Sequence, residues 1–261
     1  MDNKLTLVPA ERQSKILQYI RVHGSGQIKS LADWLDVSQA TVRRDLDEMS
    51  QAGLIERTHG GAVSNRNGSS FEQRYEEKLT LMEQEKRRIA QGAMNYVRPG
   101  DTIFLDSGTT IYYFGSKLCD IPNLTIFTYD IMVAYSIDIH PTSNIIVTGG
   151  MRRQGYNNVL IGNMVVEFLR NLRIDNVFLG ADAIDVEFGV SNSNIYEAEI
   201  KSQAVASGNK VFLLADHSKF NKVALAKVCN LEKINTLITD EWEDNTHLDE
   251  FRKLIHTIDI V

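Results

Sequence analysis

A chain of 261 residues, 43% hydrophobic and 24% charged, has the apolar content for a packed core and the length for one large domain or two smaller ones. A net charge of −6 excludes a uniformly basic nucleic-acid coat, and no stretch of the sequence reaches membrane-spanning length. Two cysteines, Cys119 and Cys229, exclude a disulfide scaffold and suit a reducing cytosol, each expected as a small buried hydrophobe.

The charge is unevenly spread. Through Arg66 nine Lys/Arg face eight Asp/Glu, which leaves 19 against 26 in the remainder. The acidic load therefore belongs to the later part of the chain. The opening MDNKLTLVPAERQ has no apolar core of the secretory kind, so a cytoplasmic location is expected.

Pro9 begins a first helix with Ile16, Leu17 and Ile20 on its inner face, ended by His23-Gly24. Leu31, Leu35 and Val37 then give a second apolar face, and Asp36-Val37-Ser38 forms a tight turn with Ser38 as N-cap of the next helix. In that helix Val42, Leu46 and Met49 recur at i, i+4, i+7 and face inward. Ser38, Gln39, Thr41, Arg43 and Arg44 are left on the outside near its start, where a helix in the major groove presents side chains to base edges. Gly53 breaks the helix, and residues 54–63 read as strand, glycine turn and strand, with Arg57 and His59 on the hairpin. This is the pattern of a winged helix-turn-helix that binds double-stranded operator DNA. Its weak field of one net positive charge leaves Arg43, Arg44 and Arg57, with Lys29, to supply the phosphate contacts. Pairing of two copies would extend its reach, so a homo-oligomer, dimer or tetramer, is expected.

Residues 64–70, SNRNGSS, contain no hydrophobic side chain and read as a linker. A charged helical stretch, continuous or broken, runs from Phe71 to about Val97, with Glu83-Gln84-Glu85-Lys86-Arg87-Arg88 on its wet side and Pro99-Gly100 closing it. Beyond it, β-rich runs alternate with amphipathic helices. Strands are predicted at 102–105, 124–127, 144–148, 176–179, 211–214, 236–238 and 257–260, and helices at 111–119, 131–137, 164–172, 195–207 and 248–255. The domains expected are 1–63 for DNA, 64–70 as linker, and 71–261 as an α/β effector-sensing and oligomerisation unit with a largely parallel sheet.

Ligands of such sheets collect at the carboxyl ends of the strands. Four polar motifs fall there. Asp106-Ser107-Gly108-Thr109-Thr110 resembles a phosphate cradle, with Gly108 allowing close backbone approach. Gly149-Gly150 allows the same, with Arg152 and Arg153 behind it. Asp182 and Asp185, three apart after Gly180-Ala181, can bind sugar hydroxyls or act as acid and base. Lys219, in Ala215-Asp216-His217-Ser218-Lys219, can meet a phosphate or a carbonyl oxygen. Together they outline a pocket for a small phosphorylated polyol or sugar; no cofactor or metal site is expected.

The run from Val37 to Leu46, the run from Gly53 to Ala62 and the sensor segments Phe71–Arg74, Lys86–Ala90, Asp106–Thr110, Gly149-Gly150, Gly180–Asp182 and Ala215–Lys219 resemble the DeoR-type bacterial transcription regulators over nearly the whole chain. The resemblance implies a sensor fold similar to ribose-5-phosphate isomerase, a phosphorylated sugar as effector, and repression of sugar-uptake or catabolic genes. Family members commonly have Thr-Asn-Ser after the second sensor strand. Here Thr128-Tyr129-Asp130 keeps Thr128 as an effector contact and sets an aromatic ring and an acid beside it.

Two alternatives stand against an effector-controlled regulator. An isomerase would use Asp182, Asp185 and Glu197 or Glu199 as acid and base. However, residues 189–193, GVSNS, lack the lysine and glycine run of such enzymes, and with them an oxyanion-stabilising backbone. An architectural DNA-binder would have a second domain that only oligomerises, against which the clustered polar motifs speak. The expectation is a regulator with no catalytic residues.

Overall fold

The computed structural model describes residues 9–23, 25–51, 54–64, 75–153, 158–241 and 248–261. The chain divides into two compact units, Met1–Phe71 and Glu72–Val261.

The first unit runs α1 (Pro9–His23), β1 (Ser25–Gln27), α2 (Ile28–Leu35), α3 (Gln39–Gln51), β2 (Ile55–Thr58) and β3 (Gly61–Ser64). Proline suits the first turn of α1, where its missing N–H would have no partner in any case. Ile16 and Ile20 of α1, Leu31 and Leu35 of α2 and Val42, Leu46 and Met49 of α3 share one core. Leu17, expected inside, is only partly buried against it. The α2–α3 turn works through Asp36, whose left-handed φ of 52° ends α2, and through Ser38, whose Oγ accepts from Thr41 N at 3.1 Å. The sequence reading did not include β1, which pairs antiparallel with β3 and makes the wing a three-stranded sheet in the order β1-β3-β2. Glycines permit that pairing: a Cβ at Gly61 would stand 2.0 Å from the Gly26 carbonyl oxygen. Gly53 and the expected linker at residues 65–70 lie outside the described residues, whereas Ser64 belongs to β3.

The second unit opens with α4 (Tyr75–Thr80), α5 (Glu83–Ala93), β4 (Thr102–Leu105), α6 (Thr109–Gly115), β5 (Thr125–Thr128), α7 (Ile131–Ser136) and β6 (Asn144–Val147). It continues through β7 (Met151–Arg152), β8 (Leu160–Ile161), α8 (Asn163–Arg170), β9 (Ile174–Leu179), β10 (Ala183–Asp185) and β11 (Gly189–Asn192). The remaining elements are α9 (Ile195–Ser207), β12 (Gly208–Leu214), β13 (Ala226–Cys229), β14 (Thr236–Thr239), α10 (Leu248–Phe251) and β15 (Thr257–Ile260). The seven expected strands form one sheet in the order β15-β14-β12-β9-β4-β5-β6, parallel throughout. Strand alternation divides the core. Ile103, Leu105 and Phe178 point to the side covered by Ile89 and Ala93 of α5 and Ile111 and Phe114 of α6. Phe104, Val177 and Leu179 point to the side covered by Val165 and Leu169 of α8, Ile200 of α9 and Phe251 of α10.

Two small antiparallel sheets, β7-β8 and β10-β11-β13, were not expected. All four residues of β11 are buried, so Gly189-Val190-Ser191-Asn192 shows no polar–apolar alternation to betray a strand. The charged helical stretch is broken within its described residues, α4 and α5 being separated at Leu81-Met82, where Met82 takes a φ of 52°.

Candidate functional sites

In the first unit α3 displays one side to solvent. Ser38, Gln39, Arg43 and Arg44 are exposed and Thr41 is half-buried. Neither arginine has a side-chain partner among the described residues, so both guanidinium groups remain available to acceptors outside the protein. Arg57 is placed differently. Its Nε donates to Asp47 of α3 at 2.9 Å and its Nη1 to the Gly61 carbonyl at 2.8 Å, so it ties the wing to α3. His59, at the hairpin turn, is exposed. Behind α3, Arg12 makes a two-pronged contact with buried Asp45, Nε to Oδ2 at 2.5 Å and Nη2 to Oδ1 at 2.8 Å, fixing α1 to the inner face of α3.

The second site follows from strand order. From β4 the chain builds toward β6 on one side and, after β9, toward β15 on the other. The carboxyl ends of β4 and β9 therefore flank a crevice at the topological switch point. A cleft lies there, lined by Ser107–Thr110, Gly180–Asp182, Asn192, Glu197, Asp216 and four lysines, Lys78, Lys86, Lys201 and Lys219. Gly108 starts α6 with a φ of 106°, a conformation open to glycine at little strain.

Hydrogen bonds divide the lining into working and supporting groups. Asp106 is fully buried: Oδ2 accepts from Lys201 Nζ at 2.5 Å and Gly180 N at 2.8 Å, and Oδ1 accepts from the Tyr129 hydroxyl at 2.7 Å. Lys201 also donates to the Gly180 carbonyl at 3.1 Å, so one buried pair clamps the ends of β4 and β9 together. Burial works against the Lys201 charge, but Asp106, Glu197 and Asp182 outweigh it and hold the ammonium above its usual range. Asp106 thus supports the cleft from behind. Ser107 donates to Glu197 at 3.2 Å and Thr109 donates to the Lys78 carbonyl at 3.3 Å. Asp182 accepts from Lys78 Nζ and Ser193 N at 3.1 and 3.0 Å; burial opposes its charge, and Lys78 and Lys201 overcome this to keep the carboxyl below the ordinary range. Lys219 has no side-chain partner among the described residues. Burial and the neighbouring Lys78 push its ammonium down from the usual lysine value, while Asp216 and Asp182 offset part of this.

Several expectations are corrected. Lys86 is not on the wet side of its helix: it is 3% exposed and donates to the carbonyls of Lys78 and Leu81. Asp185 does not line the cleft; its Oδ1 accepts from Glu187 N and Phe188 N, which makes it the turn-former between β10 and β11. Gly149-Gly150 follows β6, two strands or about 10 Å from β4, so it is not part of the lining. Thr128 is fully buried and its Oγ1 accepts from Asp130 N. Tyr129 and Asp130 stand behind the cleft lining and hold it: the Tyr129 hydroxyl donates to Ser107 Oγ at 2.9 Å. Tyr129 stacks on Phe104 at 6.0 Å, and Asp130 caps α7 through Met132 N and Val133 N while accepting from Gly108 N at 3.2 Å. Lys78, Lys86, Lys201 and Asn192 were missed, since lysines spaced along three helices show no local motif. The isomerase set is not assembled either: Asp185 holds a turn, Glu199 is exposed, and Glu197 is engaged by Arg153 at 2.5 Å. Cys119 and Cys229 are unpaired, half-buried thiols, that of Cys229 pushed up to about 12 by burial.

Among the described residues no helix is long and apolar enough to cross a membrane. Residues 12–67 match the family model of the DeoR-like helix-turn-helix domain, and residues 81–241 match that of the DeoR C-terminal sensor domain. The HTH-type transcriptional repressor CsqR of Escherichia coli (strain K12) is 32% identical over 88% of this chain and 87% of its own length. The L-fucose operon activator of Haemophilus influenzae is 33% identical over 88% of this chain and 91% of its own. A D-ribose-5-phosphate isomerase solved with phospho-erythronic acid aligns over 53% of this chain and 54% of that one at 16% identity and a TM-score of 0.39, too distant to bear on function. With both units matched by family models and relatives above 30% identity along most of its length, the chain belongs to the DeoR family: it is a DNA-binding transcription regulator and not an enzyme.

Proposed function

We infer that this cytoplasmic protein represses genes of carbohydrate uptake or catabolism and leaves its operator when a phosphorylated sugar or polyol enters the sensor cleft. The observation that carries the reading is the Lys219 ammonium, which has no side-chain partner among the described residues in a polar cleft at the switch point of the sheet, where burial depresses its pKa. A cation so placed gains from an anionic ligand. The hydroxyl of Thr110 lies in the same lining for phosphate oxygens, and Asp182, Asn192 and Asp216 offer acceptors for sugar hydroxyls. One relative is named an L-fucose operon activator, which supports a carbohydrate link.

At the other unit, Gln39, Thr41, Arg43 and Arg44 contact bases and phosphates, Ser38 holds the start of the recognition helix, Arg57 fixes the wing to that helix, and His59 meets the backbone. Two copies, associated through the sensor units, address half-sites spaced by whole turns of DNA. Thermal melts with a panel of sugar phosphates test the effector. A ligand at 100 times its dissociation constant adds about 2.7 kcal/mol to the sensor, and Lys219→Met should remove that gain. If no phosphorylated metabolite moves the transition, the effector reading is wrong.

A further inference from the structure

We propose that Asp47 of α3 is a specificity-determining residue of the DNA-binding unit: held by Arg57 of the wing, its carboxylate accepts from the exocyclic amino group of a cytosine in the major groove. The proposal rests on α3 being the recognition helix, and helical geometry singles the residue out. Val42, Asp45, Leu46 and Met49 form the buried side of α3. At about 100° per residue, the line opposite that side passes through Ala40, Arg44, Asp47 and Gln51, all exposed, with Gln39 and Arg43 on one flank. From Ala40 to Asp47 this line rises about 10 Å, which fits a major groove about 12 Å wide.

An acid on that line opposes a duplex that carries one negative charge about every 1.7 Å. Arg57 removes the conflict. Its Nε donates to Asp47 Oδ1 at 2.9 Å and its Nη1 to the Gly61 carbonyl at 2.8 Å, so a guanidinium anchored on the wing neutralises the carboxylate. Asp47 Oδ2 takes no hydrogen bond among the described residues, and the side chain is 57% exposed against 29% for Arg57. One oxygen is therefore committed to the protein and the other is left to accept from outside it. Base edges decide what it accepts. Guanine and thymine present acceptors in the major groove, and adenine sets its N6 donor beside the acceptor N7, whereas cytosine presents its N4 amino group alone. Against any other edge the acceptor is desolvated without a partner. Arg44 precedes Asp47 by three residues and about 4.5 Å of rise, near the roughly 3.4 Å base step, so the two side chains address neighbouring base pairs, with Arg44 suited to guanine.

The test selects duplexes from a randomised library with the full chain and no added metabolite. It then measures affinity for the selected site and its single-pair variants at one fixed salt concentration, with the melting transition of the DNA-binding unit as a check that each variant folds. The wild type should favour a C·G pair, beside the position that Arg44→Ala relaxes, by about fivefold or more over the other three pairs. Asp47→Ala should level that one position and leave the rest of the selected site unchanged. Asp47→Asn, which offers an amide, should transfer the preference there to A·T. Arg57→Met should weaken binding to every duplex and lose the same preference, and adding Asp47→Ala to it should restore general affinity but not the preference. An Asp47→Ala protein with the wild-type preference at every position overturns this inference alone. So does a double variant as weak as Arg57→Met, which would make Arg57 a phosphate contact. If the wild type enriches no sequence from the library, the reading of α3 falls, and this one with it.

Discussion

Arg12→Met probes the load carried by a single ion pair beneath the recognition helix. Asp45 is 2% exposed and Arg12 8%, and two of their contacts are at hydrogen-bond distance. Removing one partner of such a pair leaves the other charge buried and uncompensated, which typically costs about 3–5 kcal/mol; the small core here argues for about 3 kcal/mol. The unit spans Met1–Phe71, and at about 0.05–0.15 kcal/mol per residue its whole stability is roughly 4–11 kcal/mol. The substitution therefore removes a large share of it. At about 4–8 °C per kcal/mol for a domain of this size, the melting transition of the DNA-binding unit should fall by roughly 12–24 °C, with the sensor transition unmoved. Scanning calorimetry resolves the two, and gel shifts should show operator binding lost at 37 °C. Arg12→Met combined with Asp45→Leu should recover most of the loss, because no buried charge is left alone. An unchanged lower transition in Arg12→Met would refute the reasoning, and failure of the double variant to recover would show that geometry and not charge is at stake.

Gly61→Ala puts a methyl group 2.0 Å from the Gly26 carbonyl oxygen, so β1 must leave β3; about 1–3 kcal/mol of loss in the first unit and weaker operator binding are expected, read by melting and gel shift. Lys201→Met leaves Asp106 buried with no cation and should cost about 3–5 kcal/mol in the sensor, seen as a lowered upper transition, so loss of effector response in this variant reports unfolding and not a missing contact. Burial raises the Asp130 carboxyl to about 6, against the pull of the Val133, Gly108 and Met132 amides. The folded protein then holds that proton more tightly than the unfolded chain, whose value is about 3.9, so this group's contribution to stability falls as pH rises from about 4 to 6 and is level above. Asp130→Asn keeps an acceptor oxygen for the cap and should flatten that fall in urea titrations at pH 4, 5, 6 and 7; an identical slope in both proteins would discount the burial.

The helix-turn-helix was legible because each of its devices is local. A capped turn at Ser38, three apolar residues at helical spacing and a pair of glycines in the wing occupy fewer than 30 consecutive residues. The seven sheet strands were legible for a similar reason, each being a short β-rich run with helices between. Asp106 and Asp182 both follow strand ends, but the sequence alone did not separate the one facing the cleft from the one clamped behind it. Arg57 looked like a phosphate contact because basic residues on wings usually are, and only the fold brings Asp47 within 2.9 Å of it.

What the chain by itself determined is the kind of each element and the chemistry gathered at the ends of its strands, since periodicity and turn residues act over a few positions. What only the tertiary structure decided is strand order and its consequences. Placing β9 beside β4 creates the crevice, carries Gly180 to Asp106 across 74 residues and draws Lys78, Lys86 and Lys201 from three separate helices to one cleft. A lysine on a charged helix bears no mark of whether it meets water or a carboxylate, because that depends on which surface the helix covers once the sheet has formed.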